Sequence, residues 1–325
     1  RALDVLADMI LNPILNKVEL KKERQVITEE ISMSNDDPPQ RAGMLLDGLL
    51  WAGHPLGRDI AGSKETVASI SKKIMQSYIS DNYIPSRVVV SIAGNIRHEE
   101  ALKAVEDVTK GWSCAGKQQP AFKPYKKRES AAAVIEKRDL EQAHLCLALP
   151  AFSLYDPRRY TLGLLNTVLG QGMSGRLFTE VRDKLGLAYQ IYSHVDNLQD
   201  SGALSVYAGV KVSNLGKAIR AILGQLRLFK EEDVPQDELN KAKEFSRGRL
   251  LLRMEDSRSV AGWFGAQEIL ADEILSVDEV LSFLDAVTAA DIREVAQELM
   301  LPEELKMVIV GPVDEGKSFK EVTAL

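Results

Sequence analysis

The sequence has few cysteines and no long apolar run, and both features narrow the class of protein. Cys114 and Cys146 are the two cysteines among 325 residues, which argues against a secreted scaffold built on disulfide bonds. We interpret both as free thiols. No apolar run approaches the ~20 residues of a membrane helix, and no signal peptide is recognisable. The sequence therefore predicts a globular protein without a membrane partner.

The sequence also has no excess of positive charge. The chain has 41 lysine and arginine residues against 47 aspartate and glutamate residues, a net charge of −6, and the two signs are interspersed. Because nucleic-acid binding needs a concentrated basic surface, we expect no nucleic-acid partner. Hydrophobic residues make up 45% of the chain, an ordinary composition for a globular protein. The length accommodates two domains of roughly 150 residues.

One segment breaks the periodic pattern and divides two similar halves. Residues 113–130 contain two prolines, a glycine and a basic run, which is typical of a linker. On each side an amphipathic helix precedes a proline, a buried-type strand and a glycine nine positions later, at residues 85–94 and 302–311. We infer an internal repeat. The sequence predicts two homologous α/β domains that face each other across the linker, over residues 1–116 and 117–325.

The rest of the pattern mixes strands with long helices. Apolar runs predict strands at residues 143–149, 188–194 and 203–210. A period of 3.6 residues predicts helices at residues 157–169, 212–231, 235–254 and 258–271. Strands and helix pairs without regular β–α–β alternation favour an α+β fold.

A glycine-rich stretch raises the question of nucleotide binding. GQGMSG at residues 170–175 fits G-x-G-x-x-G, the spacing that cradles the phosphates of a dinucleotide. That fingerprint follows a strand in a β–α–β unit, whereas residues 160–170 have a helical pattern. We therefore interpret GQGMSG as a connection between two helices, in which Gly170 and Gly172 let the backbone approach a cleft and its substrate. A nucleotide-binding enzyme is kept as a remote alternative.

Two acidic residues share one side of a predicted helix. On a wheel of ~100° per residue, Glu23 and Glu30 lie within its apolar stripe. A buried carboxylate is unfavourable unless it is paired, hydrogen-bonded or bound to a metal. Two interpretations stay open: both acids reach solvent beside a half-buried stripe, or one is a site carboxylate that the other supports. In the second repeat the matching positions are Ala242 and Arg249, so only the first repeat has both acids.

Three stretches resemble one family of zinc peptidases. ERQVITEE at residues 23–30, followed by GHPLGR at residues 53–58, looks like the pitrilysin or insulinase-type family, especially the branch of the mitochondrial processing peptidase and its bacterial relatives. LGQGMSGRLFTEVRDKLGLAY at residues 169–189 resembles that family's Gly-rich segment and its Arg/Tyr pair. The resemblance extends over essentially the whole chain. It implies a zinc metalloendopeptidase that hydrolyses peptides or protein segments in a chamber between two domains.

The resemblance implies roles for four residues. Glu30 takes the place of the third zinc ligand, and Glu23 takes the place of an acid that supports the site. Arg182 and Tyr189 take the place of the pair that holds the substrate backbone, since a guanidinium and a phenol can donate hydrogen bonds to a peptide carbonyl or its oxyanion. Zinc is the implied cofactor, and it lowers the pKa of a bound water.

The sequence departs from this family in its histidines. The family's two histidine ligands and its general base lie in an inverted His-x-x-Glu-His motif, which is expected well before Glu30. The four histidines, His54, His98, His144 and His194, do not form such a motif. We expect that the natural protein continues upstream of Arg1 and is an active peptidase. The alternative is a non-catalytic partner or scaffold subunit of the same family.

The resemblance also implies partners and a location. We expect peptides or unfolded protein segments as substrates, bound partly by the addition of a strand to a sheet edge. The family resemblance further implies a homodimer, or a heterodimer with a related subunit. The bacterial cytoplasm is the implied location, with the mitochondrial matrix as the alternative.

Overall fold

The computed structural model describes residues 1–112, 124–271 and 273–314. The helices in these ranges are α1 (Ala2–Leu11), α2 (Lys17–Asp36), α3 (Pro38–Leu50), α4 (Lys64–Ser69), α5 (Lys72–Asn82), α6 (His98–Thr109), α7 (Arg159–Gly170), α8 (Leu215–Glu231), α9 (Gln236–Arg253), α10 (Ser257–Leu270), α11 (Val277–Ala286) and α12 (Ala289–Leu299). The strands are β1 (Ala133–Lys137), β2 (Ala143–Ala151), β3 (Ala188–Asn197), β4 (Gly202–Val210) and β5 (Lys306–Gly311). Short 3₁₀ helices occur at Pro55–Gly57, Pro85–Arg87, Val212–Asn214 and Pro302–Glu304, and a π-helix at Leu177–Lys184. None of the helices described is both long and apolar enough to cross a bilayer.

The five strands form one mixed sheet, which confirms the predicted α+β class. Their order is β1-β5-β2-β4-β3. β1 runs parallel to β5, whereas β2 runs antiparallel to both β4 and β5, and β3 runs antiparallel to β4. The strands predicted at residues 143–149, 188–194 and 203–210 therefore exist, each with slightly different ends.

Burial alternates along the central strand β2, because helices cover both faces of the sheet. Leu145, Leu147 and Leu149 point to one face and belong to the core that α7, α8 and α12 complete. Cys146 and Ala148 point to the other face, which α3 covers through Leu46, Leu49 and Leu50. Burial of one leucine side chain contributes about 1.5–3 kcal/mol to the stability of the fold. Packing of leucines on both faces therefore stabilises the sheet from both sides.

The described residues form two compact units that are not contiguous in sequence. The first comprises those within residues 1–33, 60–123 and 251–275, and the second comprises those within 34–59, 124–250 and 276–325. Each unit thus contains a helix from the other half of the chain: α10 lies in the first unit and α3 in the second. The boundary predicted between residues 116 and 117 lies outside the described residues and stays a prediction, as does the linker interpretation around Cys114.

The two halves repeat the same local order. α4 and α5 precede the 3₁₀ helix Pro85–Arg87, just as α11 and α12 precede Pro302–Glu304. The N-caps correspond as well: Ser63 and Ser276 each form a capping box, and Ser71 caps α5 where Thr288 caps α12. Such boxes satisfy free backbone N–H groups at a helix start.

One predicted strand is not observed. Residues 302–311 contain β5, but residues 85–94 contain the 3₁₀ helix followed by extended backbone that no described residue pairs into a sheet. Val90 in this segment is 45% exposed, whereas Val308 to Val310 of β5 are fully buried. The prediction was wrong because a strand depends on partner strands as well as on its own apolar residues. β5 has β1 and β2 on its two sides.

Candidate functional site

The glycine-rich stretch connects two helices, as predicted. α7 ends at Gly170 and the π-helix begins at Leu177, so GQGMSG follows a helix and lacks the strand that a dinucleotide fingerprint requires. A Cβ atom at Gly170 would lie 2.5 Å from the Oγ and 2.7 Å from the backbone N of Ser193. Gly172 has a φ of +77°, which favours glycine. Close packing therefore explains Gly170, and contact of either glycine with substrate stays a prediction.

The helix after this connection is a π-helix, which is wound more widely than an α-helix. Leu177 and Val181 are fully buried and anchor it in the core. Its last turn contains hydrogen bonds that span five and six residues, from the N–H of Leu185 to the carbonyl of Glu180 (3.1 Å) and from Leu187 to Val181 (3.0 Å). Isolated π-type turns are frequent at functional sites. Arg176 directly precedes this helix, and its side chain does not cap it.

An ion pair fixes the start of the π-helix. The Nε of Arg176 lies 3.0 Å from Oε1 of Glu238, and its Nη2 lies 2.6 Å from Oε2. The side chains are only 15% and 29% exposed, and the guanidinium also lies 4.5 Å from the ring centroid of Phe229. A bidentate, largely buried pair holds its geometry better than an exposed one. The π-helix is therefore tied to α9.

Tyr189 occupies an irregular position at the start of β3. The register between β3 and β4 shifts between Ala188 and Gln190, so Tyr189 is the extra residue of a β-bulge. A bulge redirects a side chain from the regular alternation of the strand. Before it, Gly186 has a φ of +59° and turns the chain from the π-helix into the strand. The tyrosine side chain is 77% exposed.

The π-helix and the bulge bring Arg182 and Tyr189 together. The guanidinium carbon of Arg182 lies 5.8 Å from the ring centroid of Tyr189 and 4.6 Å from that of Phe178. Such cation–π contacts contribute about 0.5–1 kcal/mol at an exposed site, enough to bias the guanidinium toward these rings. Within the described residues no carboxylate pairs with Arg182. Its N–H donors and the Tyr189 hydroxyl are thus available to a ligand.

Phe178 was not among the predicted site residues. It lies four residues before Arg182, the spacing at which helical side chains meet, so the signal was present in the sequence. The aromatic ring limits where the guanidinium can go, which makes Phe178 a positioning residue for Arg182.

The two predicted acids lie on α2 in the first compact unit. Glu23 and Glu30 are both exposed, and within the described residues neither side chain forms a hydrogen bond or an ion pair. The apolar stripe they share is also largely open, since Val26 is 48% exposed and only Ile31 is buried. This arrangement agrees with the interpretation in which both acids reach solvent. It leaves their chemical roles as predictions.

The matching positions of the second repeat lack acids, and Arg249 at one of them contacts the glycine-rich connection. Ala242 is buried against the core. Arg249 donates a hydrogen bond from Nη1 to Oε1 of Gln171 (3.2 Å) and lies 5.5 Å from the ring centroid of Phe245. The two repeats have therefore diverged at the positions to which the resemblance assigns the zinc chemistry.

The residues of this chain do not by themselves fit a zinc ion. A catalytic zinc site uses three protein ligands, and Glu30 offers one carboxylate. No group of three histidine, cysteine, aspartate or glutamate side chains suited to a metal occurs in the described part of the chain. His54 accepts a hydrogen bond from the N–H of Leu56, and His98 starts α6. Further ligands would have to come from outside this chain.

The remaining histidines lie on the sheet of the second unit. The Nδ1 of His144 lies 2.8 Å from the hydroxyl of Tyr207, and burial lowers the pKa of His144. The Nε2 of His194 lies 3.2 Å from Oδ1 of Asp196, and this hydrogen bond raises the pKa of His194. Each of these two imidazole rings therefore has a local hydrogen-bond partner.

Asp47 of α3 is the most perturbed acid of the second unit. Burial, and then the nearby charge of Asp196, raises the pKa of Asp47 to about 6. Burial likewise raises the pKa of the Cys146 thiol to about 12. Asp47 was not among the predicted site residues, because its burial and its neighbour Asp196, distant in the chain, both depend on the fold.

Comparison with known proteins shows what the chain is similar to. Residues 69–245 match the family model described as "Peptidase M16 inactive domain", and residues 1–64 match "Insulinase (Peptidase family M16)". A zinc protease of Bacillus subtilis is 36% identical over 311 residues, which cover 96% of this chain and 75% of that protein. A zinc protease of Streptomyces coelicolor is 33% identical over 325 residues, with coverage of 98% and 70%.

Solved structures show the same fold at lower identity. A protease from Helicobacter pylori superposes with a TM-score of 0.88 at 22% identity and covers 96% of this chain and 76% of that one. A structure described as a peptidase M16 inactive domain, from Pseudomonas fluorescens, superposes with a TM-score of 0.81 at 21% identity, with coverage of 97% and 75%. These two likenesses concern the fold alone.

Proposed function

Because the chain belongs to the insulinase-type peptidase family M16, we propose that it is part of a zinc metalloendopeptidase and contributes one metal ligand and a substrate clamp. The clamp consists of Arg182 and Tyr189. Glu30 is the proposed ligand and Glu23 the acid that supports it. The remaining ligands and the general base would come from residues that this chain does not contain.

The observation that carries the proposal is the approach of Arg182 to Tyr189. Among the described residues the guanidinium of Arg182 has no carboxylate partner, and its central carbon lies 5.8 Å from the ring centroid of the exposed Tyr189. Both side chains therefore present hydrogen-bond donors from neighbouring positions. Peptide carbonyl oxygens accept such bonds, and donors that are already in place stabilise the negative charge that develops during hydrolysis. The wide turn and the bulge fix the backbone positions of both residues, and the Phe178 ring biases the guanidinium of Arg182, which reduces the ordering that a substrate must induce.

Zinc, when bound, supplies Lewis-acid chemistry and an activated water. The residues of this chain act on the substrate side: they orient the peptide and neutralise its carbonyl oxygen. The names of the curated relatives support the metal, and their bacterial origin supports the bacterial cytoplasm as the location. We further propose peptides or unfolded protein segments as substrates. We also propose that the protein pairs with a second copy or a related subunit, and sedimentation of the natural protein would test this pairing.

Cleavage of a fluorogenic peptide by the natural protein tests the clamp. We expect Tyr189→Phe and Arg182→Gln each to lower kcat/KM about 100-fold, the order found when one donor to a developing oxyanion is removed. Arg220→Gln, which removes another exposed arginine in α8, serves as the control and should leave kcat/KM within about twofold. Unchanged kcat/KM in both clamp variants would contradict the proposal.

A second candidate is a non-catalytic partner subunit of an active peptidase. It is favoured by the description of the family model over residues 69–245 as an inactive domain. Absence of hydrolysis by the purified natural protein, with activity appearing only when a related subunit is added, would support this alternative. A nucleotide-binding enzyme has no such support, since GQGMSG joins two helices.

A further inference from the structure

One face of α9 holds both ends of the glycine-rich connection. The connection comprises the six residues from Gln171 to Arg176, between the last residue of α7 and the first residue of the π-helix. Arg249 donates a hydrogen bond from Nη1 to Oε1 of Gln171 (3.2 Å). Glu238 accepts hydrogen bonds from Nε (3.0 Å) and Nη2 (2.6 Å) of Arg176. Glu238 and Arg249 are eleven residues apart, about three turns, so they lie on the same face of α9.

The packing between these two contacts is looser. A cavity of about 30 Å³ lies there, which is room for about one water molecule. Its lining includes Thr167, Gln171, Glu238, Ala242 and Phe245. Apolar packing alone therefore does not fix the position of the connection along α9, and the polar contacts at the two ends determine it.

The π-helix takes its position from the end of this connection. A Cβ atom at Gly175 would lie 3.0 Å from the backbone of the last residue of α7, which leaves no room for movement toward α7. The carbonyl of Gly175 accepts a hydrogen bond from the N–H of Thr179 (3.0 Å), so the first turn is joined to it. Arg182 follows Arg176 by six residues in the same helix. A shift of Arg176 would therefore move the guanidinium of Arg182 as well.

The internal repeat shows that this face of α9 has a different use from its counterpart on α2. Glu19 of α2 stands where α9 has Glu238, and Glu30 stands where α9 has Arg249. The side chain of Glu19 is 66% exposed and pairs with Lys22 of its own helix. The side chain of Glu238 is 29% exposed and pairs with a residue of another element. The positions that present exposed acids on α2 thus hold the glycine-rich connection on α9.

We propose that Glu238 and Arg249 are positioning residues of the clamp. They hold the glycine-rich connection on α9 at both ends and act on the substrate through Arg182, without touching it. This inference rests on the proposed function, because it concerns the clamp assigned there. Placement matters for such a donor, since a displacement of about 1 Å can lower a rate about 100-fold.

A kinetic double-mutant cycle distinguishes positioning from general stabilisation. With the fluorogenic peptide, Glu238→Gln should lower the kcat/KM of the natural protein about tenfold. In the Arg182→Gln background the same substitution should lower it less than about twofold, because the group on which Glu238 acts is gone. Asp237→Asn removes a neighbouring acid from the first turn of α9 and should leave kcat/KM within about twofold. Equal losses from Glu238→Gln in both backgrounds would overturn the proposal.

Two further variants keep the test decisive if Glu238→Gln folds poorly. Arg176→Lys keeps the charge but cannot form two parallel hydrogen bonds with Glu238, so it should reproduce the tenfold loss and its dependence on Arg182. Arg249→Gln should lower kcat/KM about threefold, because the contact of this exposed side chain constrains the connection less. Wild-type kcat/KM in both Arg176→Lys and Arg249→Gln would also overturn the proposal.

A spectroscopic measurement separates this inference from the proposed function. Fluorotyrosine in place of Tyr189 gives a fluorine NMR signal that senses the guanidinium of Arg182, so Arg182→Gln should shift it. Glu238→Gln should shift the signal too, whereas Asp237→Asn should not. These shifts need neither zinc nor hydrolysis, so their presence in a natural protein that cleaves no peptide would keep the positioning role and remove the peptidase proposal. Hydrolysis that depends on Arg182, with a signal that Glu238→Gln leaves in place, would do the reverse.

Discussion

Substitution of Gly170 by alanine tests the packing that positions the clamp. The new methyl group would lie 2.7 Å from the backbone N and 2.5 Å from the Oγ of Ser193, and 3.0 Å from Cδ1 of Leu177. The serine side chain can rotate, but the backbone of β3 cannot move without its neighbours. Ser193 belongs to the strand that carries Tyr189, and Leu177 opens the helix that carries Arg182. A clash here should therefore shift both halves of the clamp.

The magnitude follows from two opposing effects. Overpacking of a close-packed interior costs about 1–3 kcal/mol, and replacement of a helical glycine by alanine gains about 0.5–1 kcal/mol. Gly170→Ala should thus lower the free energy of unfolding by about 1–2 kcal/mol. Gly163 lies in the same helix with nothing within 4 Å of its missing Cβ, so Gly163→Ala should be neutral or stabilising.

Urea denaturation followed by circular dichroism measures the difference. For an m-value of about 2 kcal/mol/M, the midpoint should fall by about 0.5–1 M in Gly170→Ala and not fall in Gly163→Ala. Ser193→Ala combined with Gly170→Ala should recover only part of the loss, because the contact with the backbone N persists. Equal midpoints for Gly163→Ala and Gly170→Ala would refute the reasoning.

Three further predictions concern the second unit. The raised pKa of Asp47 means that the folded state holds its proton more tightly, so stability falls as pH rises from about 4 to about 6. Asp47→Asn should therefore become more stable relative to the wild type over that window, by an amount on the order of 1–2 kcal/mol after allowance for partial exposure. A constant difference in urea midpoint between pH 4 and pH 7 would argue against this. A double-mutant cycle of Arg176→Gln and Glu238→Gln should give a coupling of about 1–2 kcal/mol in urea unfolding, and a value below about 0.5 kcal/mol would count against the buried pair. Cys146, with its pKa raised to about 12, should react with Ellman's reagent at pH 8 only after denaturation when Cys114→Ser removes the other thiol, and prompt labelling of the native protein would contradict its burial.

The sequence predicts features that depend on neighbouring residues better than features that depend on contacts between distant parts of the chain. The helix predicted at residues 157–169, observed as α7, and the helix-to-helix connection after it follow from neighbours along the chain. The strand at residues 85–94 was predicted from its apolar run, but a strand forms only when partners are present. Similarly, nothing near Gly170 in the sequence shows that Ser193 lies against it.

The candidate site shows the same division. The seven-residue spacing of Arg182 and Tyr189 can be seen in the sequence. The wide turn and the bulge, which bring the guanidinium carbon to 5.8 Å from the tyrosine ring centroid, depend on which hydrogen bonds the surrounding core allows. The raised pKa of Asp47 depends on its burial and then on the charge of Asp196, and the fold alone produces both. Glu23 and Glu30 were predicted as a pair on one helix face. Because both are exposed, whether Glu30 binds a metal has to be decided by measurement.

Zinc content of the natural protein is the most direct test of the proposed metal ligand. Elemental analysis after gel filtration should find zinc bound to the wild type, and Glu30→Gln should lose most of it, because a neutral amide is a poor zinc ligand. Glu29→Gln, a neighbouring exposed acid on the same helix, should keep its zinc. Retention of zinc in Glu30→Gln at the wild-type level, or its absence from the wild type, would contradict the account.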